Sequence, residues 1–179
     1  MSQPVLVCSK KIYLHFGLSA FVDMSIVYSS EMSFESQAQA VLAWGRKPSA
    51  AKAEQLAQGL SLPVWRLEDG FIHSLGQGVL GANSYSLVVD KKGIYYDATQ
   101  ASDLEDLLAY DPQQQLLNSE LLTRAEQLIQ AITSHRVSKY NNAPLDISSL
   151  NLPTGKKVLV VDQTAGDMSL KYGLVQADS

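Results

Sequence analysis

An α/β fold with a mainly parallel sheet is predicted by three observations. Short, wholly apolar runs of strand length recur along the chain, helical stretches separate them, and polar residues gather just after several of them. Alternation of this kind builds βαβ units, whose strands are covered on both faces and so read as unbroken apolar segments. The expected architecture is Rossmann-like and three-layered.

Val5 to Cys8 is the first candidate strand and Ser25 to Tyr28 the second. Val41 to Trp44 and Pro63 to Leu67 follow, with Ala50 to Gly59 between them. That segment reads as a helix, because alanines favour it, Ser49 can cap its start and Gly59 can end it. From Ser86 a hairpin is expected: Ser86 to Asp90 and Ile94 to Tyr96 flank Lys91-Lys92-Gly93, where the glycine supplies a tight turn. Ser102 followed by Glu105 is a capping box opening a helix to Leu108. A longer helix is expected from Gln114 to Thr133, with Leu117, Leu121, Ala125, Leu128 and Ile132 spaced for one buried face.

Ser138 to Thr154 is rich in Asn, Ser and Pro and reads as a linker, after which Val158 to Val161 forms a last candidate strand. The division that follows is a first domain over 1–137, a linker over 138–157, and the opening strand and loop of an incomplete second α/β unit over 158–179. An apolar strand without its own sheet invites pairing with another chain, so a homodimer through Val158 to Val161 is an expectation.

At 179 residues with 46% hydrophobic and 18% charged residues, the chain is globular in composition. Its formal net charge of −4 lacks the basic footprint of a nucleic-acid binder. One cysteine, Cys8, allows no internal disulfide and points to a reducing compartment or to indifference to one, with the thiol as a buried apolar group. Lys10, Lys11, His15 and Asp23 interrupt the apolar residues near the start, which is unlike a signal peptide, and no run approaches the length of a membrane span. A cytoplasmic location is expected. His15, His73 and His135 have no metal-ligand spacing, so no metal is expected. Gly76, Gly78 and Gly81 lack the flanking strand and helix of a dinucleotide fingerprint.

Three motifs could carry chemistry. Trp44-Gly45-Arg46-Lys47-Pro48-Ser49 joins a strand to a helix, where Arg46 and Lys47 beside free N–H groups either hold an anion or are simply solvated. Arg66-Leu67-Glu68-Asp69-Gly70 places paired carboxylates after a strand, either as acceptors of sugar hydroxyls or a general base, or as an Asx-type turn led by Asp69 in which Glu68 is solvated or pairs with Arg66. Asp162-Gln163-Thr164-Ala165-Gly166-Asp167-Met168-Ser169 follows the last apolar run. Asp167, held by Thr164, Ser169 or backbone N–H groups, is either a nucleophile toward an anomeric carbon or the cap of a helix starting near Met168.

Six blocks in order carry a resemblance: Trp44 to Ser49, Arg66 to Phe71, Ser86 to Asp90, Gly93 to Ala98, Ser138 to Asn141, and Val160 to Thr164 with Asp167-Met168-Ser169 and Tyr172-Gly173. Together they resemble the retaining β-Kdo transferases of capsule assembly, the KpsC/LipB capsule polysaccharide proteins. The resemblance implies a GT-B arrangement of two Rossmann-like halves, with residues 1–137 on the acceptor side. It implies CMP-β-Kdo as donor, no separate cofactor, and transfer with retention by double displacement onto a phospholipid-anchored linker at the inner membrane. On this pattern Asp167 stands at the nucleophile's position, with Glu68 and Asp69 as helpers and Arg46, Lys47, Gln163, Thr164 and Ser169 as substrate contacts. The family's nucleotide-binding half, with a His-Pro motif, has no counterpart in these residues, so the chain is expected to work as part of a longer protein and to be inactive alone. The alternative is a non-catalytic module that binds the glycolipid or another capsule-assembly protein.

Overall fold

The computed structural model describes residues 3–31, 37–76, 84–109, 118–144 and 146–174. Five strands form one sheet: β1 (Val5–Val7), β2 (Ile26–Tyr28), β3 (Ala40–Trp44), β4 (Val64–Asp69) and β5 (Leu87–Asp90), in the order β2-β1-β3-β4-β5. The first four are mutually parallel and β5 is antiparallel to β4. This is the α/β fold the sequence predicts.

The central strands are covered on both faces, which is why β1 and β3 are apolar throughout. On one face α1 (Lys10–Tyr13) and α2 (Leu18–Val22) bring Ile12, Leu18 and Val22 against Val5, Val7, Leu42 and Leu67. On the other, α3 (Ala51–Leu60) lays Ala53 and Ala57 on Leu6, Cys8, Val41 and Ala43. Small alanine side chains let that helix sit close to the sheet, and Cys8 is buried among them.

Several boundaries differ from expectation. Ser49 does not cap α3: a 3₁₀ turn, Pro48–Ala50, leads into it with Lys47 at its start. The helix passes through Gly59 and ends at Ser61, whose left-handed conformation (φ 54°) returns its N–H to the carbonyls of Ala57 and Gln58. The expected hairpin is absent, since Ile94 to Tyr96 form no strand and β5 pairs with β4. The reason is Asp90, whose carboxylate accepts from the amides of Lys92 at 3.0 Å, Gly93 at 2.8 Å and Asp103 at 3.2 Å, turning the chain toward α4 (Asp103–Ala109). Ser102 does accept from the Glu105 amide at 3.1 Å, as a capping residue should.

The long helix is α5 (Ser119–Ser134), capped by Asn118 through the amide of Leu121; residues 114–117 of the expected helix, including Leu117, lie outside the described residues, as do Gly78 and Gly81. Its expected buried face is not buried: Leu121 and Leu128 are exposed, and among the described residues no element covers them. Val158 to Val161 likewise form no strand and are 81–86% exposed. A strand needs a hydrogen-bonding neighbour, and residues 158–161 lie against neither edge of the sheet, β2 or β5. The start of the expected linker, by contrast, is docked. Lys139 accepts from the amides of His73 and Ser74 at 3.0 and 3.2 Å, and the amide of Asn141 donates to Ser74 at 3.1 Å.

Candidate functional site

Because β1 lies between β2 and β3, connections leave it in opposite directions, and the crevice at the carboxyl ends of β1 and β3 is a topological switch point. The loop after β3 crosses this rim. Gly45 adopts φ 47°, and a Cβ there would meet the Tyr96 hydroxyl and, at 2.7 Å, Glu68 Oε2. Arg66, buried in the sheet, donates to the Gly45 carbonyl at 2.6 Å and to Glu54 Oε1 at 2.7 Å. Glu68 therefore does not pair with Arg66; Glu54 on α3 has taken that place.

β4 runs on through Glu68 and Asp69, so the two carboxylates point to opposite faces instead of sharing a turn. Glu68 accepts from the Trp44 indole N–H and from the Asp69 amide, both at 3.2 Å. Burial raises its pKa above the ordinary carboxylate range, against the opposing pull of the Asp69 amide and the Lys47 charge. Asp69 Oδ1 lies 3.6 Å from Nδ1 of His73. His73 is buried, shares a hydrogen bond with Ser84 Oγ at 2.9 Å, and meets the Tyr140 ring edge-on at 5.7 Å.

Arg46 is not a free anion ligand. Its Nε and Nη2 both lie 2.6 Å from Asp97 Oδ2, its amide donates to the Tyr96 hydroxyl at 2.9 Å, and its guanidinium stands 5.4 Å from the Tyr172 ring centroid. Lys47 beside it is exposed and faces a groove of about 260 Å³ that Lys171 and Tyr172 also line.

The polar loop before α6 (Met168–Tyr172) is organised by its own groups. Gly166 (φ 80°) lets the Asp167 amide donate to the Thr164 carbonyl at 3.0 Å, so Thr164 contributes its main chain. Gln163 Nε2 donates to Ser169 Oγ at 3.0 Å, while Asp162 accepts from the Gln163 amide at 2.7 Å. Asp167 is the N-cap of α6, accepting from the Ser169 amide at 2.8 Å. That bond lowers its pKa, outweighing partial burial, with the Ser169 hydroxyl and the charges of Lys47 and Lys139 adding in the same direction. The result is a carboxylate kept ionised by its cap bond, so capping and reactivity are compatible roles for it.

Glu68, Asp69, Lys47 and Asp167 thus come to one rim, and Tyr95 sits among them: burial first, then the charges of Glu68, Asp69 and Asp167, raise its pKa. Gln163 and Ser169 belong to the loop's own scaffold, and Arg46 to an ion pair. Sequence reasoning gave no role to Tyr96, Asp97, Lys139 or His73. Tyr96, its pKa pushed up to about 12 chiefly by burial, reads in sequence as packing, since nothing local reveals a bond to an amide fifty residues away.

Residues 39–178 match the family model described as capsule polysaccharide biosynthesis protein. The chain belongs to this family. It is 45% identical over 147 residues to the capsule polysaccharide modification protein LipA of Neisseria meningitidis serogroup B, matching 80% of this chain and 20% of LipA. It is 36% identical over 137 residues to the lipopolysaccharide-processing protein LpsZ of Rhizobium meliloti, matching 75% of this chain and 30% of LpsZ. Among solved structures, Thermosulfurimonas dismutans KpsC, β-Kdo 2,4 transferase, superimposes with a TM-score of 0.82 at 39% identity, over 98% of this chain and 53% of that one. The β-Kdo 2,7 transferase of the same KpsC gives 0.59 at 27% identity, over 96% and 52%. The chain therefore spans a fifth to a third of these curated relatives and about half of the solved chains. Its fold is that of one part of a GT-B-like Kdo transferase, and capsule polysaccharide biosynthesis is the family's setting.

Proposed function

We propose that this member of the capsule polysaccharide biosynthesis family is part of a retaining glycosyltransferase that moves β-Kdo from CMP-β-Kdo to the glycolipid linker of capsular polysaccharide. The observation that carries the reading is Asp167, a carboxylate fixed by the Ser169 amide at 2.8 Å and drawn toward its ionised form by that bond, in a chain with 39% identity to a β-Kdo 2,4 transferase. The greater likeness to the 2,4 than to the 2,7 enzyme favours a 2,4 linkage.

In the first step, an Asp167 carboxylate oxygen attacks the anomeric carbon of Kdo, and CMP departs with the bonding electrons. That carbon carries a carboxylate of its own and is crowded, so the attacking group must be small, anionic and held in line. Oδ1 is held by the Ser169 amide, which leaves Oδ2 for attack. In the second step, the acceptor hydroxyl gives its proton to Glu68 and attacks the same carbon from the first donor face, releasing Asp167. Two inversions retain the β configuration. Glu68 suits a base because burial lifts its pKa toward the operating range. Lys47 offsets phosphate or carboxylate charge, and Asp69, more exposed than the buried His73 beside it, accepts from an acceptor hydroxyl. CMP is itself a good leaving group, so no separate cofactor is invoked.

Among the described residues no helix is long and apolar enough to cross a membrane. Work at the cytoplasmic surface of the inner membrane, on a lipid-anchored acceptor, belongs to the same proposal.

The test is mass spectrometry of the full-length protein incubated with CMP-β-Kdo. A glycosyl adduct on the peptide containing Asp167, absent in Asp167→Ala, supports the reading. An adduct that persists in that variant overturns the assignment, and binding of glycolipid without an adduct or transfer favours a non-catalytic module.

A further inference from the structure

We infer that Arg46 and Asp97 are positioning residues that hold Asp167 at the rim, acting through Tyr172; the inference rests on the transferase reading of Asp167. From position 150 to 167 the described chain is exposed throughout, and α6 is where the segment meets the domain, with Met168, Ser169, Leu170 and Tyr172 half-buried. The docking contacts converge on one end of that helix. The Tyr172 carbonyl accepts from the Ala98 amide at 2.9 Å, and the Arg46 guanidinium stands over the Tyr172 ring.

Both contacts depend on an ion pair shielded from water. The Asp97 side chain is fully buried and that of Arg46 is 18% exposed. A buried pair is stable only when its remaining hydrogen-bonding capacity is met. Here Asp97 Oδ1 accepts from the Thr99 amide at 3.0 Å and hydroxyl at 2.5 Å, while Oδ2 takes both Arg46 nitrogens. Burial by itself would raise the Asp97 pKa; the Thr99 and Arg46 bonds outweigh it and hold the carboxyl ionised. Both Asp97 oxygens are thus engaged, and the pair is fixed on the domain, with Arg46 Nη1 3.8 Å from Glu54 Oε1. Asp97 immediately precedes Ala98, and Arg46 is held a second time through its amide on Tyr96, so both anchors for Tyr172 come from one rigid knot.

From Tyr172 to Asp167 is five residues, about 7.5 Å along a helix at 1.5 Å per residue. A helix that short transmits the placement of its last residue directly to its N-cap. Releasing Tyr172 displaces Asp167 from Lys47 and Tyr95 without touching either, and a misplacement of about 1 Å can cost about 10²-fold in rate.

The experiment uses the full-length protein, comparing wild type with Arg46→Ala, Arg46→Lys, Asp97→Asn and Tyr172→Phe. Hydrogen exchange of the peptide spanning 167–173 is expected to quicken about tenfold in Arg46→Ala and Asp97→Asn, with β1 and β3 unchanged, as for a local opening. Tyr172→Phe keeps the ring and carbonyl and should match wild type, while Arg46→Lys, having charge without the fork, should fall between. Steady-state transfer should show kcat lowered about 10²-fold at nearly constant KM for CMP-β-Kdo. Unchanged exchange at 167–173, or exchange quickened equally across the sheet, overturns the inference. Quickened exchange with kcat preserved, where Asp167→Ala is inactive, overturns the positioning role and leaves the transferase reading intact. Full activity in Asp167→Ala overturns the transferase reading itself, and the positioning inference with it.

Discussion

The Trp44 indole N–H donates to Glu68 Oε1 at 3.2 Å, tying together the ends of two neighbouring parallel strands at the rim where the candidate site lies. The contact orients a carboxylate that burial would otherwise disfavour. It also places Glu68 directly beneath Gly45, whose missing side chain makes room for it.

Glu68→Gln should raise stability at neutral pH while abolishing transfer. Burial makes the folded protein release the Glu68 proton at higher pH than the unfolded chain does. Folding thus favours the protonated form, so stability falls as pH rises from the unfolded value, about 4.3, through the folded one. Glutamine has no such dependence. Urea midpoints should favour the variant at about pH 8 and converge at about pH 4.

Gly45→Ala should destabilise the protein by about 2 kcal/mol, through left-handed strain and displacement of Glu68 and Tyr96. Chemical denaturation measures the loss. An unchanged midpoint would mean that the loop relaxes freely.

Arg66→Ala leaves the Gly45 carbonyl and Glu54 without their buried donor. Glu54 is 41% exposed and screened by solvent, so the unmet Gly45 carbonyl dominates and the cost is about 1–2 kcal/mol, read by thermal or urea unfolding. A loss below about 0.5 kcal/mol would place Arg66 among ordinary surface charges.

Lys47→Ala should raise the donor KM about tenfold, equivalent to about 1.4 kcal/mol, with stability nearly unchanged because the side chain is exposed. Steady-state kinetics at two salt concentrations checks this, since added salt should shrink the difference.

Val158 to Val161 present four apolar side chains to solvent, and self-association of the 179-residue chain through them is expected. Size exclusion across a concentration series should show apparent mass falling toward the monomer in Val160→Pro. An elution profile that the substitution leaves unaltered would dismiss this contact.

The central parallel strands were legible because a parallel sheet covered on both faces demands continuous apolar segments, as in Val5 to Val7 and Ala40 to Trp44. The Asp167 loop was legible for a local reason too, since a carboxylate two residues before the amide it caps is written into the chain. Amphipathic spacing in α5 fixed a helix but not its burial, because the pattern records that a face is apolar and says nothing of what covers it.

Sequence by itself determined the α/β class and the family resemblance, and it singled out Glu68, Asp69 and Asp167 as candidates. Tertiary structure decided which charges are available. Arg46 and Lys47 are adjacent and equal in sequence, yet Asp97, fifty-one residues from Arg46, neutralises the first and leaves the second exposed. Glu54 rather than Glu68 takes Arg66 for the same reason. Ion pairing depends on distance in space and on burial, and neither is a property of neighbouring residues along the chain.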